Sequence, residues 1–287
     1  MSRRSACTRK AATVAAALSV LLWPRIGTAD VRVETSPGTD AAGLTQLVRE
    51  QISAAPRAAS LDARVTIGAE AFRTALNNQD GRPIVAAYLS SAEFAAALGE
   101  RPPPLQVTAI FSNPDPLDQL TLAKAILRQA SVAAFDSPAV HSLVARLTER
   151  GVAAIHVAPN EGVDVLLRGA DPFDVIIALP DPTVLNQANI GHVVRTLYQQ
   201  HKVLIGYSDT LTRVGSLASV YPTAEGIARA VSQALEQYAE RRALPSPMFV
   251  SDVNVSLNER LARSLNIVLP ATDDLVREIR SKHEGLP

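Results

Sequence analysis

The chain has 287 residues, of which 47% are hydrophobic and 20% are charged, and its formal net charge at pH 7 is +0. The mean hydropathy of +0.10 excludes a protein that crosses a membrane many times, and the balanced composition excludes a collagen-like or disordered chain. A chain of this length forms one large domain or two lobes of modest size.

The N-terminal segment differs from the rest of the sequence. Basic residues from Arg3 to Lys10 precede an apolar run from Ala11 to Trp23, and Gly27-Thr28-Ala29 follows as a small-x-small cleavage motif. These three features predict a secretory signal peptide over residues 1–29 that is cleaved after Ala29, and hence a periplasmic protein. A buried N-terminal helix is the weaker alternative. The pair Arg3-Arg4 leaves twin-arginine export open beside the general route.

Removal of the signal peptide changes the charge and the cysteine content. The segment carries five basic residues and no acidic residue, so the remaining chain has 23 basic and 28 acidic residues and a net charge of −5. This acidity gives no electrostatic basis for binding nucleic acid. Cys7 is the only cysteine, so the mature chain can form neither a disulfide nor a cysteine-based metal site. No later apolar stretch is long enough for a membrane span.

Short β-branched runs alternate with amphipathic helical segments from Val31 onward. This pattern predicts an α/β protein, in which each of two lobes is a parallel sheet flanked by helices. One helical face is predicted by the spacing of Val140, Leu143, Val144 and Leu147. The predicted strands are Val31 to Thr35, Arg64 to Ile67, Ile84 to Leu89, Val107 to Phe111, Val132 to Phe135, Ala153 to Val157, Val175 to Leu179 and Val203 to Tyr207.

The C-terminal part is predicted to add one strand to each lobe. Ser216 to Val220 and Met248 to Val253 are the two strands, and Ser256 to Glu259 has the pattern of a capping box before a helix. Thr272 is expected to start the last helix. The first lobe is therefore predicted to comprise residues 30–113 plus 215–243, and the second lobe residues 114–214 plus 244–287.

Several stretches of this C-terminal part resemble one protein family. Val203 to Ser208, Gly215 to Tyr221, Asp252 to Asn254 and Ala262 to Pro270 resemble substrate-binding proteins of ABC transporters with the type I periplasmic-binding fold. The resemblance implies two lobes joined by three crossings of the chain, a small ligand, often an amino acid, in the cleft between them, and an inner-membrane permease as partner. This chain departs from the family pattern in having an abbreviated first lobe.

The loops at the carboxyl ends of parallel strands are the expected ligand-binding positions. Hydroxyl and amide groups there can bind a polar ligand, and Asp136, Asp181 or Asp209 can receive an ammonium group. Ser90, Ser91, Ser137 and Thr183 are equally suited to capping helices. The candidate ligand-binding residues are Ser36, Ser90, Ser91, Ser112, Asn113, Asp136, Ser137, Asp181, Thr183, Ser208, Asp209 and Tyr221.

No catalytic motif occurs in the sequence. The five histidines form no His-x-x-x-His pair, and there is no Gly-x-Ser-x-Gly elbow and no phosphate-binding glycine loop. We therefore expect no metal, no cofactor and no catalysis. The predicted function is that of an exported protein that binds a small solute for an ABC-type uptake system. The alternatives are a sensory or outer-membrane-uptake accessory role without its own permease and, more remotely, a hydrolase on a related fold.

Overall fold

The computed structural model describes residues 31–37, 42–78, 80–99, 106–158 and 162–284. The predicted signal peptide, residues 1–29, lies outside the described residues. Within these ranges, no helix has both the length and the apolar character needed to cross a bilayer.

The first sheet is parallel and has four strands in the order β1-β2-β3-β4. The strands β2 and β3 are almost entirely buried, because helices cover both faces of the sheet. The elements are β1 (Arg32–Thr35), α1 (Ala42–Ser53), α2 (Pro56–Ala59), β2 (Arg64–Ile67), α3 (Ala69–Asn78), β3 (Ile84–Leu89), α4 (Ser91–Leu98) and β4 (Val107–Phe111).

The second sheet has six strands in the order β10-β9-β8-β7-β5-β6, and only β10 runs antiparallel to its neighbour. Its elements are α5 (Pro116–Ile126), β5 (Val132–Asp136), α6 (His141–Thr148), β6 (Ala153–His156), α7 (Val163–Gly169), β7 (Val175–Ile177), α8 (Ile190–Gln199), β8 (Val203–Gly206), α9 (Asp209–Val214), β9 (Ala218–Pro222), α10 (Ala224–Arg241), β10 (Val253–Leu257), α11 (Glu259–Ser264) and α12 (Thr272–Glu284). The fold is α/β with two sheets, as the sequence predicted.

Residues 215–243, which the sequence assigned to the first lobe, are divided between the two sheets. The strand β9 pairs with β8 in the second sheet, because the short helix α9 returns the chain directly beside β8. The helix α10 then packs Ile227, Val231 and Leu235 against the core of the first sheet. Both C-terminal strands therefore belong to the second sheet.

The predicted last strand, Met248 to Val253, is displaced along the chain. Met248 forms only an isolated bridge to Ile110 of the first sheet, and the true strand begins at Val253. The following helix is capped by Asn258, whose side chain accepts a hydrogen bond from the backbone N–H of Leu261, so Ser256 lies within β10 and caps nothing. The extended segment before β10 is a connection between the lobes.

The chain crosses between the two lobes three times, after β4, after β9 and before β10. The ring of Phe249, in the third crossing, lies 5.0 Å from the ring of Phe111 at the end of β4. The guanidinium of Arg146 lies 5.4 Å from the Phe249 ring and forms an ion pair at 2.6 Å with Asp115 in the first crossing. These side chains form a packed hinge in which two crossings contact each other.

Gly206, the last residue of β8, is expected to tolerate no side chain. A Cβ atom there would lie 2.9 Å from the Leu211 Cβ and would overlap the Ser219 hydroxyl, which is bonded to Thr212 and Ser216 in a buried network. We expect Gly206→Ala to lower the free energy of unfolding by about 1–3 kcal/mol, because overpacking must displace this network. Urea-induced unfolding measures the change.

Gly191, at the start of α8, provides the matched control. A Cβ atom at Gly191 meets nothing within 4 Å, and alanine favours helix over glycine. Gly191→Ala should therefore leave stability unchanged or slightly increased. Equal losses in the two variants would contradict the packing argument.

Candidate functional site

In both sheets, the carboxyl ends of the parallel strands face the crossing segments. The carboxyl end of β4 leads directly into the first crossing, and Pro222 at the carboxyl end of β9 pairs with Val253, where the third crossing enters β10. The parallel strands of each sheet share this direction. The loops after the strands of one lobe therefore face those of the other across a cleft, where open α/β sheets bind ligands.

On the first lobe, the start of α4 is held rigidly at the cleft. Ser90 and Glu93 form a capping box, in which the Glu93 carboxylate accepts hydrogen bonds from the Ser90 backbone N–H at 2.8 Å and from its hydroxyl at 3.0 Å. The Ser91 N–H donates to the Asn113 side chain at 2.8 Å, which ties α4 to the first crossing. The buried Ser91 hydroxyl has no hydrogen-bond partner among the described residues.

On the second lobe, Asp181 is the most deeply buried of the candidate carboxylates, with 1% of the residue exposed. Its Oδ1 accepts hydrogen bonds from the Thr183 N–H at 2.8 Å and the Thr183 hydroxyl at 2.7 Å, and its Oδ2 accepts from the Ser137 hydroxyl. No ion pair to Asp181 occurs within the described ranges of the chain. Asp181 is therefore a hydrogen-bonded carboxylate without a compensating cation.

The pKa of Tyr207, which directly follows β8, is affected by charged groups of both lobes. Burial raises the pKa of the Tyr207 phenol, and the negative charges of Glu93 and Asp181 raise this pKa further. Glu93 belongs to the first lobe and Asp181 to the second, so charged groups of both lobes act on the Tyr207 phenol.

The other candidate residues of the second lobe have partners within their own lobe. Asp136 contacts the His141 imidazole at 3.0 Å, and Asp209 forms an ion pair with Arg213. The Ser208 hydroxyl caps α9 by accepting from the Leu211 N–H. These carboxylates are less suited than Asp181 to receiving a ligand cation.

Tyr221 lies on β9, near the Asp209 carboxylate. Burial raises the pKa of the Tyr221 phenol, the charge of Asp209 raises it further, and a hydrogen bond with Ser256 lowers it. The structure thus places Tyr221 beside the start of α9.

Two candidate residues of the first lobe, Ser36 and Ser112, form hydrogen bonds with backbone groups of their own lobe. Ser36 is buried after β1, at the edge of the sheet away from β4, and its hydroxyl accepts from the Ala71 N–H at 2.9 Å. The Ser112 N–H donates to the Leu89 carbonyl at 2.9 Å. Ser36 therefore lies away from the crossings, whereas Ser112 lies in the first of them.

Sequence reasoning did not nominate Glu93 or Tyr88 as ligand-binding residues. The Ser90-to-Glu93 spacing is a capping-box signal that could have identified Glu93. Tyr88 has a φ of +56° at a register shift in β3, and its residue is 39% exposed in an otherwise buried strand. A bulge that turns one side chain out of a strand near a binding site is a recurrent functional device, and no sequence pattern signals it here.

The cleft presents hydroxyl, amide, phenol and carboxylate groups. Among the described residues, no group of three or more His, Cys, Asp or Glu side chains could hold a metal ion. The described polar groups can orient and hold a polar ligand by hydrogen bonds and charge.

Two α/β lobes, three crossings and a cleft at the carboxyl ends of the strands define the type I periplasmic-binding-protein fold. Comparison with protein-family models gives no match, and comparison with curated protein sequences gives none either.

Solved structures share this fold at low sequence identity. A conserved domain protein from Vibrio cholerae matches with a TM-score of 0.57 and 17% identity, over 88% of this chain and 98% of that one. An ABC domain from Streptococcus pneumonia in complex with L-Trp matches with a TM-score of 0.57 and 16% identity, over 87% and 98% of the two chains. A substrate-binding protein with adhesive properties from Clostridium difficile, in its ligand-free, open structure, matches with a TM-score of 0.56 and 14% identity, over 80% and 81%.

Proposed function

We propose that the protein is an exported, non-catalytic solute-binding protein whose two lobes close on a small polar ligand that carries a positive charge. The observation that carries the proposal is the Asp181 carboxylate, which is 1% exposed, accepts three hydrogen bonds and has no ion-pair partner among the described residues. An ammonium group, as in an amino acid or an amine, fits this arrangement. The solved structure of one protein of this fold contains L-Trp, which supports an amino-acid-like ligand.

The charge of the ligand follows from the environment of Asp181. A buried carboxylate is costly unless hydrogen bonds and a cation compensate its charge. Ser137 and Thr183 provide the hydrogen bonds, and the described part of the chain provides no cation. A ligand ammonium completes this environment, and Glu93 adds a second carboxylate from the opposite lobe.

Ligand binding is coupled to closure of the lobes. A ligand that contacts both lobes has higher affinity for the closed state than for the open state and shifts the equilibrium between them. Glu93 and Asp181 lie on different lobes, so a bound cation is attracted to both. The hinge of Phe111, Phe249 and Arg146 is the region about which such closure takes place.

The predicted export signal over residues 1–29 supports a periplasmic protein that delivers its ligand to an inner-membrane ABC permease. A sensory or outer-membrane-uptake accessory role uses the same cleft and differs only in the downstream partner. Genes for a permease and an ATPase beside this gene favour transport, and a gene for a receptor or kinase favours sensing.

A thermal-shift screen tests the proposed function. The purified protein, unfolded and refolded to remove bound ligand, is screened against amino acids, amines, sugars and dicarboxylates. A ligand at 100 times its dissociation constant adds about 2.7 kcal/mol of stability, which raises the melting temperature by roughly several degrees. We expect the shift from amino acids or amines. Shifts only from sugars or dicarboxylates contradict the proposed charge, and no shift from any compound contradicts the small-solute function.

A further inference from the structure

A pocket separate from the cleft lies on the second lobe, beside the hinge. The helices α5, α6 and α12 surround it. Its volume is about 520 Å³. Its charged lining residues are Lys124, Arg146, Arg150, Lys282, Asp115 and Asp118, and His283 also lines it. None of these residues was nominated for the cleft.

The pocket has an excess of positive charge. Lys124, Arg150 and Lys282 form no ion pair with any described residue, whereas Arg146 is paired with Asp115 at 2.6 Å. Lys282 donates a hydrogen bond to the Thr121 hydroxyl at 2.9 Å, which holds its ammonium at the pocket. Three cations are thus free to bind an anion.

Asp118, which lines the pocket, has an unused hydrogen-bond acceptor. Asp118 is only 3% exposed, and its Oδ1 contacts the His283 Nε2 at 2.8 Å. Its Oδ2 is buried and has no hydrogen-bond partner among the described residues. A buried carboxylate oxygen without a donor is unfavourable, so a ligand that supplies a donor gains affinity.

We propose that this pocket binds an oxyanion that carries a proton, such as hydrogen phosphate. The negative oxygens of the ligand contact Lys124, Arg150 and Lys282, and its P–OH group donates to the Asp118 Oδ2. A pocket that contained only cations would bind sulfate and phosphate equally well. The Asp118 carboxylate distinguishes the two anions, because sulfate has no proton to donate and is repelled by the carboxylate.

The selectivity depends on the ionisation of Asp118. Burial raises the pKa of Asp118 to about 6, and the charge of Asp115 also raises it, whereas His283 and Arg146 lower it. Above this pKa the ionised carboxylate accepts a hydrogen bond from hydrogen phosphate and repels sulfate. Below it the neutral carboxyl can donate, so sulfate is also accepted. The other charged groups that line the pocket are Lys124, Arg150 and Lys282.

Calorimetric titration of the purified protein with inorganic phosphate, methyl phosphate and sulfate tests the proposal. At pH 8 we expect inorganic phosphate to bind at least roughly tenfold more tightly than sulfate, because only phosphate supplies a donor to the carboxylate. Methyl phosphate has a second pKa of about 6 and no proton at pH 8, so it should bind as weakly as sulfate. At pH 5 the affinity for sulfate should rise about tenfold.

Two substitutions locate the binding to the pocket. Arg150→Gln should lower the affinity for phosphate roughly tenfold, because it removes a charge-assisted hydrogen bond. Arg195→Gln, at an exposed arginine of α8 outside the pocket, should leave it unchanged. Asp118→Asn should bind sulfate at pH 8 roughly tenfold more tightly than the unaltered protein, since the repelling charge is absent.

The outcomes separate this site from the cleft. Asp181 lies in the cleft and does not line the pocket, so Asp181→Asn should leave the affinity of the pocket for phosphate unchanged. The pocket can therefore be tested whether or not the cleft binds a cation. No heat from phosphate at millimolar concentration overturns the proposal. Equal losses in Arg150→Gln and Arg195→Gln also overturn it, as does equal binding of sulfate and phosphate at pH 8.

Discussion

Asp181→Asn is expected to lower the affinity of the cleft for a cationic ligand by roughly 10- to 100-fold, the loss typical of a charge-assisted hydrogen bond. The substitution removes the charge and keeps the shape. The asparagine oxygen can still accept from the Thr183 N–H, and its amide can donate to the Ser137 hydroxyl, so the loop should stay folded. Calorimetry with the amino acid or amine found in the thermal screen measures the affinity.

Glu93→Gln on the opposite lobe should lower the affinity of the same ligand in the same direction. Glutamine can preserve the contact with the Ser90 N–H, so α4 keeps its start. Asp209→Asn is the matched control, because Asp209 is already paired with Arg213 and should contribute less to ligand binding. If Asp209→Asn and Asp181→Asn weaken binding equally, the assignment of the ligand charge to Asp181 is wrong.

Three strands of the first sheet were predictable from sequence because their physical environment is simple. The predictions for Arg64 to Ile67, Ile84 to Leu89 and Val107 to Phe111 are confirmed to the residue. Helices cover these strands, so each is a short, largely buried segment rich in β-branched and apolar residues.

The C-terminal strands were harder to place, because pairing between distant segments decides them. Met248 to Val253 is extended and apolar like a strand, yet it is a crossing that touches the first sheet at one bridge. The strand β9 was predicted as a strand but assigned to the wrong sheet, since no local pattern states which neighbour a strand pairs with.

The candidate site was only partly accessible to sequence reasoning. Strand ends locate the loops, and Ser90 and Ser208 are recognisable as helix caps from the residues that follow them. The placement of Glu93 and Asp181 on facing lobes depends on how the two lobes are arranged, which no local pattern encodes.

Asp118→Asn is expected to stabilise the protein at pH 8 by roughly 1–3 kcal/mol. Burial raises the pKa of Asp118 from 3.8 to about 6, so the native state binds this proton more tightly than the unfolded state. A tenfold difference in proton affinity corresponds to about 1.4 kcal/mol. The favourable contribution of the protonated group is complete below the unfolded pKa and is lost as the pH rises through the folded pKa. The neutral asparagine avoids this loss, so the difference in stability between the variant and the unaltered protein should grow as the pH rises from 4 to 6.

Asp174 provides a control of opposite sign. Hydrogen bonds from the Ser131 hydroxyl and N–H lower the pKa of Asp174, so its favourable contribution is present at neutral pH and is lost as the pH falls through that pKa. Asp174→Asn should therefore destabilise the protein at pH 8, where Asp118→Asn stabilises it. Urea-induced unfolding of both variants at pH 4 and pH 8 measures the two changes. A gain from Asp118→Asn that is equal at both pH values would show that improved packing, and not the raised pKa, stabilises the variant.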